Sequence, residues 1–147
     1  MRPTVTRLLD AAAAHLGGNT AAVLTGYEQA TVMILGVMLL IVGEESERAV
    51  ARRVEENTAL RDLFAQALGV VREPALRARL ELLAAGADES LTVAGLDAGN
   101  AALRAALIDL HAHVEVLAGV DARDLEAAIW EELRVSTERR RISIAPF

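Results

Sequence analysis

Two of the three histidines of the sequence lie close together, at His111-Ala-His113, with Asp109 and Glu115 close by. Imidazole and carboxylate groups together could hold a metal ion or transfer a proton. On a helix, residues two apart point in different directions, so these two histidines cannot complete one site. Each has a carboxylate four residues away, Asp109 for His113 and Glu115 for His111, as in ordinary helix-surface pairs. We expect no cofactor here and keep only His111 and Glu115 as candidate metal ligands.

A second group of possible metal ligands is the acidic run that contains Glu44, Glu45, Glu47, Glu55 and Glu56. Its first three members partly resemble the Glu-Glu-x-x-Glu helices with which all-helical nucleotide pyrophosphohydrolases bind magnesium. Because one spacer residue is missing, the third carboxylate falls on another face of the helix. Interleaved arginines favour surface pairs such as Glu44 with Arg48. An enzyme that uses these acids, or a small-molecule site between helices, is therefore the alternative to a non-catalytic protein.

The composition predicts which elements must carry these side chains. Alanine and leucine supply 29 and 22 of the 147 residues, whereas aromatic residues make up 3% and cysteine is absent. Such a balance favours helices over strands. The hydrophobic content of 53% is high for one soluble domain over residues 1–147, so we expect a partner to cover apolar surface. A homodimer is the simplest such assembly, and a different protein partner is the other possibility.

The charge pattern argues against nucleic acid as a partner. All 15 basic residues are arginines, and 21 acids give a net charge of −6. Nucleic-acid binding needs a concentrated basic face, because neutralising phosphates supplies much of the affinity. The arginines cluster at residues 139–141, where we expect them to occupy the last turn of a helix and complement its dipole.

The most apolar segment, residues 30–43, contains 14 residues without a charge. As a helix it would be about 21 Å long, whereas the hydrocarbon layer is about 30 Å thick. We therefore expect a central helix that is buried on all sides, with membrane association as the alternative. Because Asp10 and His15 interrupt the apolar N-terminal run, a signal sequence is not indicated. A cytoplasmic location is the resulting expectation.

Start and stop signals divide the chain into helices with short connections. We expect a first helix from Thr4 to Leu16, ended by Gly17-Gly18. A second helix is expected to begin between residues 21 and 27 and to reach Leu68, with a kink or break near Gly36, Gly43 or Asn57. Pro74 begins the next helix and Gly86 ends it. Asp88 is the expected N-cap of a long helix that reaches Ala118. Gly119 is expected to end this helix, and Asp121 is the expected N-cap of the final one. Because the connection is short, the two helices are predicted to be antiparallel.

The strongest pattern is a heptad seam, which predicts that helices pack side by side. In the long fourth helix it contains Val93, Leu96, Asn100, Leu103, Leu107, Leu110, Val114 and Leu117. The same phase recurs at Val50, Arg53, Asn57, Leu60, Phe64 and Ala67. An asparagine on an apolar seam costs stability unless its amide is paired, and it can fix register and partner choice. We therefore expect Asn57 and Asn100 to be buried and hydrogen-bonded, within one chain or between two.

Scattered segments resemble small all-helical bacterial proteins of unknown function. They are Arg2-Pro3-Thr4, Leu8-Leu9-Asp10-Ala11-Ala12, Val54-Glu55-Glu56-Asn57, Ala59-Leu60-Arg61, Ala128-Ile129-Trp130 and Ser136-Thr137-Glu138-Arg139-Arg140. Some proteins of this kind are encoded near genes for proteins similar to acyl-CoA dehydrogenases and phosphotransferases. The resemblance implies a bacterial origin and brings no catalytic residues to this chain.

These observations together predict an all-α protein, a bundle of five or six helices with long antiparallel members and coiled-coil-like packing. We expect a non-catalytic accessory or protein-interaction protein that forms a homodimer. The alternatives are a small-molecule-binding or metal-dependent enzyme with an interhelical site, and a protein that associates with membranes through residues 30–43.

Overall fold

A computed structural model describes residues 4–143, and within that range the chain forms five α-helices and no strand. The helices are α1 (Val5–Ala14), α2 (Gly26–Ala67), α3 (Pro74–Ala84), α4 (Val93–Val114) and α5 (Val120–Arg139). A π-helical turn (His15–Thr20) and a 3-10 turn (Ala21–Val23) follow α1. The all-α class predicted from the composition is confirmed.

The chain packs into two compact units. The N-terminal unit contains Met1–Ala49 and Ile142–Phe147, and the C-terminal unit contains Val50–Arg141. A unit defined by compact packing need not fold independently. The expectation of one domain over residues 1–147 therefore stays a prediction.

In the N-terminal unit, Thr4 caps α1 as predicted, since its side-chain oxygen accepts a hydrogen bond from the Arg7 amide at 3.4 Å. The prediction that Gly17-Gly18 ends the helical path was wrong. The backbone instead widens into the π-helical turn and then tightens into the 3-10 turn, so helical geometry extends to Val23. Neither glycine would place a Cβ within 4 Å of another atom, so packing does not force a break at either position.

The helix α2 runs through 42 residues without interruption, so the predicted break near Gly36, Gly43 or Asn57 was wrong. Glycine inside a helix costs about 1 kcal/mol relative to alanine. At Gly36 this cost is offset by close packing, because a Cβ there would lie 3.3 Å from the Ala13 carbonyl oxygen of α1. At Gly43 a Cβ would lie 3.8 Å from the Leu9 Cβ, an ordinary van der Waals distance, so packing does not require glycine there. Gly36 is thus the position that lets α1 pack closely along α2.

The hydrophobic core of the described chain lies in the C-terminal unit, where α2 to α5 contribute to it. Its buried members are Leu60, Leu63, Phe64, Ala67, Val71, Leu80, Leu103, Ala106, Leu107, Leu110, Val114, Leu125 and Ile129. The predicted seam supplies most of the α2 and α4 members of this core. The coiled-coil-like pattern therefore identified the helix faces that pack together.

The starts of α3 and α4 show which boundary signals were reliable. Pro74 occupies the first turn of α3 as predicted, and the Glu73 carboxylate caps that helix. The predicted N-cap of α4, Asp88, was wrong, because Thr92 caps this helix by accepting a hydrogen bond from the Gly95 amide at 3.2 Å. Asp88 is not available for capping, since its carboxylate accepts hydrogen bonds from two side chains of α2.

The connection between α4 and α5 also differs from the prediction. The helix α4 ends at Val114, four residues before Ala118, and α5 begins at Val120 with Gly119 as its N-cap. Gly119 has a φ of 120°, a conformation that side chains with a Cβ rarely adopt. Because this glycine already turns the chain into α5, Asp121 lies in the first turn of the helix instead of capping it.

Candidate functional site

A buried carboxylate lies at the centre of the polar residues of the C-terminal unit. Glu56 of α2 is 2% exposed and accepts hydrogen bonds from Arg104 of α4 and from Ser136 and Arg140 at the end of α5. The Arg140 Nη2 lies 2.8 Å from Oε2 of Glu56, and the Ser136 Oγ lies 3.1 Å from Oε1. This residue therefore joins three helices that are far apart in the sequence.

The surroundings of Glu56 fix its protonation state. Burial would raise the pKa of this carboxyl, but the hydrogen bonds and charges of Arg140 and Arg104 outweigh burial and lower its pKa to about 2. A group that donates or accepts protons in catalysis near neutral pH needs a pKa closer to the working pH. Glu56 is therefore a charged anchor for two guanidinium groups and is poorly suited to acid–base chemistry.

The two seam asparagines meet inside the same unit. The Asn100 side-chain nitrogen donates a hydrogen bond of 2.9 Å to the Asn57 side-chain oxygen, and the two residues are 7% and 0% exposed. The predicted burial and pairing are confirmed, and the bond joins α2 and α4 of one chain. Their role in fixing register or partner choice stays a prediction.

The asparagine pair extends into a longer polar network. Asn57 donates to the Asp88 carboxylate at 2.9 Å, and Arg61 donates to the same oxygen at 2.7 Å. At the other end, the Arg104 Nε donates at 3.0 Å to the Asn100 side-chain oxygen and so connects the pair to Glu56. The hydrogen bond from Arg61 lowers the pKa of Asp88, burial opposes it, and the hydrogen bond from Asn57 lowers it further. The charged form is thus favoured at both the buried Glu56 and the half-buried Asp88.

A cleft of about 360 Å³ opens beside the Asp88 end of this network. One wall is the small-residue face of α4, which includes Gly95, Gly99 and Ala102, and the opposite wall includes Leu82 at the end of α3. Such a volume would admit a small molecule. At the cleft Asp88 and Arg61 bind each other, and Glu89 leaves the lining with one excess negative charge.

The histidines lie apart, as the sequence analysis predicted. The His111 Nε2 is 3.8 Å from a Glu115 oxygen, and its ring packs edge-on against Trp130 of α5 with the ring centres 5.1 Å apart. The predicted pair between Asp109 and His113 was wrong, because Asp109 pairs with Arg79 of α3. Among the described residues 4–143, no group of three or more histidine, aspartate or glutamate side chains is arranged to hold a metal ion.

The other candidate side chains form ion pairs. Glu44 pairs with Arg48 at 2.7 Å as predicted, and it also accepts hydrogen bonds from the backbone and hydroxyl of Ser143. At the end of α5, Arg139 pairs with Glu132 at 2.7 Å while Arg140 extends to Glu56. The arginine cluster therefore includes a group that neutralises a buried acid, in addition to its place at the helix end.

The N-terminal unit presents the largest departure from expectation. We define its apolar face as six α2 side chains that are between 44% and 61% exposed: Met33, Ile34, Leu35, Val37, Met38 and Val42. The prediction that residues 30–43 form a helix buried on all sides was wrong. Because α1 packs along the Gly36 and Gly43 side of α2, these six side chains remain exposed.

The same region passes a simple test for a membrane span. Within α2 an 18-residue window has a mean hydropathy of 1.6, and 11% of that window is buried. By length and composition, this helix could cross a membrane.

Comparisons with protein-family models, with curated proteins and with solved structures found no match to this chain. The fold and the side-chain geometry therefore carry the functional argument.

Sequence reasoning missed several members of the polar network. Glu56, Arg104 and Arg140 lie among many other glutamates and arginines, where pairs on one helix surface are the usual outcome. Their partners lie 48 and 84 residues away, beyond any local spacing rule. The usable signal was Asn57, because a polar residue next to Glu56 on an apolar seam marks that turn of α2 as buried.

Proposed function

We propose that this protein is a non-catalytic helical accessory protein that acts by binding other protein chains and that forms a homodimer through its N-terminal unit. The observation that carries the proposal is the apolar face of α2. Monomeric soluble proteins rarely expose a continuous apolar patch of this kind, and larger patches mark interaction sites. A cytoplasmic location is part of the same proposal.

The arrangement of the apolar face supports a protein partner. The spacing from Ile34 to Val37 and on to Ile41 is three and then four residues, as is the spacing from Leu35 to Met38 and on to Val42. Two neighbouring rows with this period are typical of a helix that packs against more than one other helix in a bundle. A hairpin of α1 and α2 supplies two helices, and a second hairpin would complete a four-helix bundle.

The polar network of the C-terminal unit supports the non-catalytic part of the proposal. Glu56 and Asp88 are both engaged by arginine side chains, and the pKa of each is lowered. A catalytic carboxylate needs an accessible oxygen and a pKa suited to proton transfer or metal binding. Full engagement of both groups suits a role in holding helices together.

Membrane association is the second candidate, favoured by the hydropathy of the 18-residue window in α2. Two features make it the weaker one. The uncharged segment, residues 30–43, is about 21 Å long as a helix, whereas the hydrocarbon layer is about 30 Å thick. Glu44, Glu45 and Glu47 follow it immediately, and anionic lipid headgroups would repel these charges.

Sedimentation equilibrium at several protein concentrations tests the proposal. We expect a reversible dimer for the wild type and a monomer for Ile34→Glu, because the substitution would bury an unpaired charge in the interface. Ile108→Glu is the matched control, since Ile108 is an exposed isoleucine (69%) on α4 and its replacement should leave the dimer intact. A monomeric wild type at all concentrations would contradict the proposal.

Vesicle flotation separates the two candidates. The wild type is expected to stay at the bottom of the gradient with neutral phosphatidylcholine vesicles. If it floats and Ile34→Glu does not, the apolar face binds lipid, and the membrane candidate replaces the homodimer.

A further inference from the structure

The long helix of the N-terminal unit carries a heptad row that extends beyond the apolar face at both ends. Tyr27, Ile34, Ile41 and Arg48 follow one another at intervals of seven residues, so they share one side of α2. Tyr27 is 87% exposed at the start of this row, and the next two members are isoleucines. A large aromatic side chain at the edge of an apolar face is typical of a binding surface.

We infer that the second copy packs against this row in the antiparallel direction, so that Tyr27 of each copy meets the turn containing Glu45 and Arg48 of the other. The inference rests on the proposed homodimer and specifies its geometry. A two-fold axis passes through the middle of the apolar face, between Val37 and Met38. It places each residue of one copy opposite the residue of the other copy that lies equally far beyond the axis along the helix. Ile34 then lies opposite Ile41, and Tyr27 lies opposite Arg48.

Charge favours this direction over the parallel one. Glu44, Glu45 and Glu47 lie just beyond one end of the apolar face. In a parallel pair, the two copies of this acidic turn would be about 10 Å apart, the usual distance between packed helix axes. In the antiparallel pair they are about 22 Å apart along the helices, well beyond the screening length of about 8 Å at physiological salt. By the same symmetry Glu28 of each copy lies opposite Glu47 of the other, so the antiparallel dimer contains two like-charge pairs. The parallel dimer contains more, because Glu28, Glu44, Glu45 and Glu47 would each lie opposite their own copies, and its repulsion is therefore stronger.

The contact at each end is chemically suitable. A guanidinium group can stack on a tyrosine ring while its edge remains paired with a carboxylate, so Arg48 can keep its 2.7 Å pair with Glu44. The tyrosine hydroxyl can at the same time reach polar groups of the acidic turn. Because of the two-fold symmetry, each dimer contains this contact twice.

Disulfide trapping tests whether the two copies of α2 are antiparallel. The sequence contains no cysteine, so every disulfide must involve an introduced one. In the antiparallel dimer, Ala30 of one copy lies opposite Glu45 of the other. A mixture of Ala30→Cys and Glu45→Cys chains is therefore expected to form the mixed disulfide under mild oxidation. Ala30→Cys alone should remain unlinked, since its two copies lie about 22 Å apart and a disulfide needs Cα atoms within about 7 Å.

The outcomes separate this inference from the proposed homodimer. If sedimentation shows a dimer but Ala30→Cys alone cross-links and the mixture gives no mixed disulfide, the pair is parallel and the inference is wrong. If the protein is a dimer but cross-links in neither experiment, the interface lies elsewhere, and the inference is again wrong. A monomeric wild type would instead mean that the proposed function itself has failed.

Variants of Tyr27 test the end contact. Tyr27→Ala is expected to raise the dissociation constant of the dimer about tenfold, because two cation–aromatic contacts are lost. Tyr27→Phe keeps the ring and should change the constant by less than about threefold. If both substitutions change the dissociation constant equally and negligibly, Tyr27 lies outside the interface.

Discussion

The two units of this protein use apolar residues in opposite ways. In the C-terminal unit, Phe64, Leu80 and Ile129 are fully buried. In the N-terminal unit, Ile34, a residue of the same class, is 61% exposed. The C-terminal unit also contains a continuous polar network, whereas the apolar face of the N-terminal unit contains no charged side chain. Burial within the chain is thus concentrated in one unit, and the other retains surface for a partner.

This difference shows that hydrophobicity alone does not locate the core. The most apolar stretch of the sequence, residues 30–43, lies in the N-terminal unit, where few other helices pack against it. The core forms instead from stretches that arginine and glutamate residues interrupt. Whether an apolar residue is buried depends on how many helices are available to pack around it. In the N-terminal unit, α1 covers the glycine side of α2 and leaves the opposite side exposed.

The largest expected contrast is in stability. Phe64→Ala should lower the free energy of unfolding by about 4 kcal/mol, because it removes a fully buried ring and leaves a cavity. Met38→Ala, at a side chain that is 54% exposed, should change it by less than about 0.5 kcal/mol in dilute, monomeric protein. Urea denaturation followed by circular dichroism measures both. Equal losses would mean that the apolar face is already covered within one chain.

A substitution at Glu56 tests how much the buried ion pairs contribute to stability compared with exposed ones. Glu56→Gln should cost about 3 kcal/mol, because Arg104 and Arg140 lose the buried charge that they share. Glu131→Gln is the matched control, since Glu131 forms an exposed pair with Arg134 and should contribute less than about 1 kcal/mol. Denaturant unfolding of both variants checks this. If the two costs were the same, the buried cluster would be no more important than a surface ion pair.

The asparagine pair should have a smaller effect. Asn100→Leu removes a donor from Asn57 and an acceptor from Arg104, and we expect a loss of about 2 kcal/mol. Ala101→Leu, at an exposed position of the same helix, should be neutral within about 0.5 kcal/mol. Denaturation and sedimentation together check stability and oligomeric state. If Asn100→Leu changed neither, the proposed register role of the pair would have to be abandoned.

The smallest effect is expected from acid. The pKa of Glu56 is about 2 in the folded protein, below the ordinary value of 4.5. Its ionisation therefore stabilises the fold above pH 4.5, and this contribution is lost as pH falls from 4.5 toward 2. Between about pH 6 and pH 3.5, the wild type should lose about 1 kcal/mol more than Glu56→Gln does. Parallel pH dependences of the two proteins would show that Glu56 has an unshifted pKa.

Much of the fold could be predicted because its signals are local. The heptad seam identified Leu103, Leu107 and Leu110 as core residues, and all three are buried. The Thr4 cap and the Pro74 start followed from residue preferences within one helical turn. Where the prediction failed, a distant contact had replaced a local one. Asp88 does not cap α4, because side chains of α2 bind its carboxylate.

The candidate sites were less predictable for the same reason. Asn57 and Asn100 stood out because each interrupts an apolar pattern. Glu56 was noted only as one member of an acidic run, and its burial between arginines was not predicted, since its environment comes from α4 and α5 and not from its own neighbours. The exposure of Ile34 and Met38 could not be inferred from their sequence either, because an apolar helix may be covered by its own chain, by another chain or by lipid.

The placement of the chain's single tyrosine and single tryptophan has a practical consequence. Tyr27 lies in the N-terminal unit, and Trp130 lies in the C-terminal unit beside His111. Each unit therefore carries its own natural fluorophore. Tryptophan emission will follow the unfolding of the C-terminal unit, and tyrosine emission will follow that of the N-terminal unit. Unlabelled protein can therefore reveal whether the two units unfold at the same temperature or one after the other.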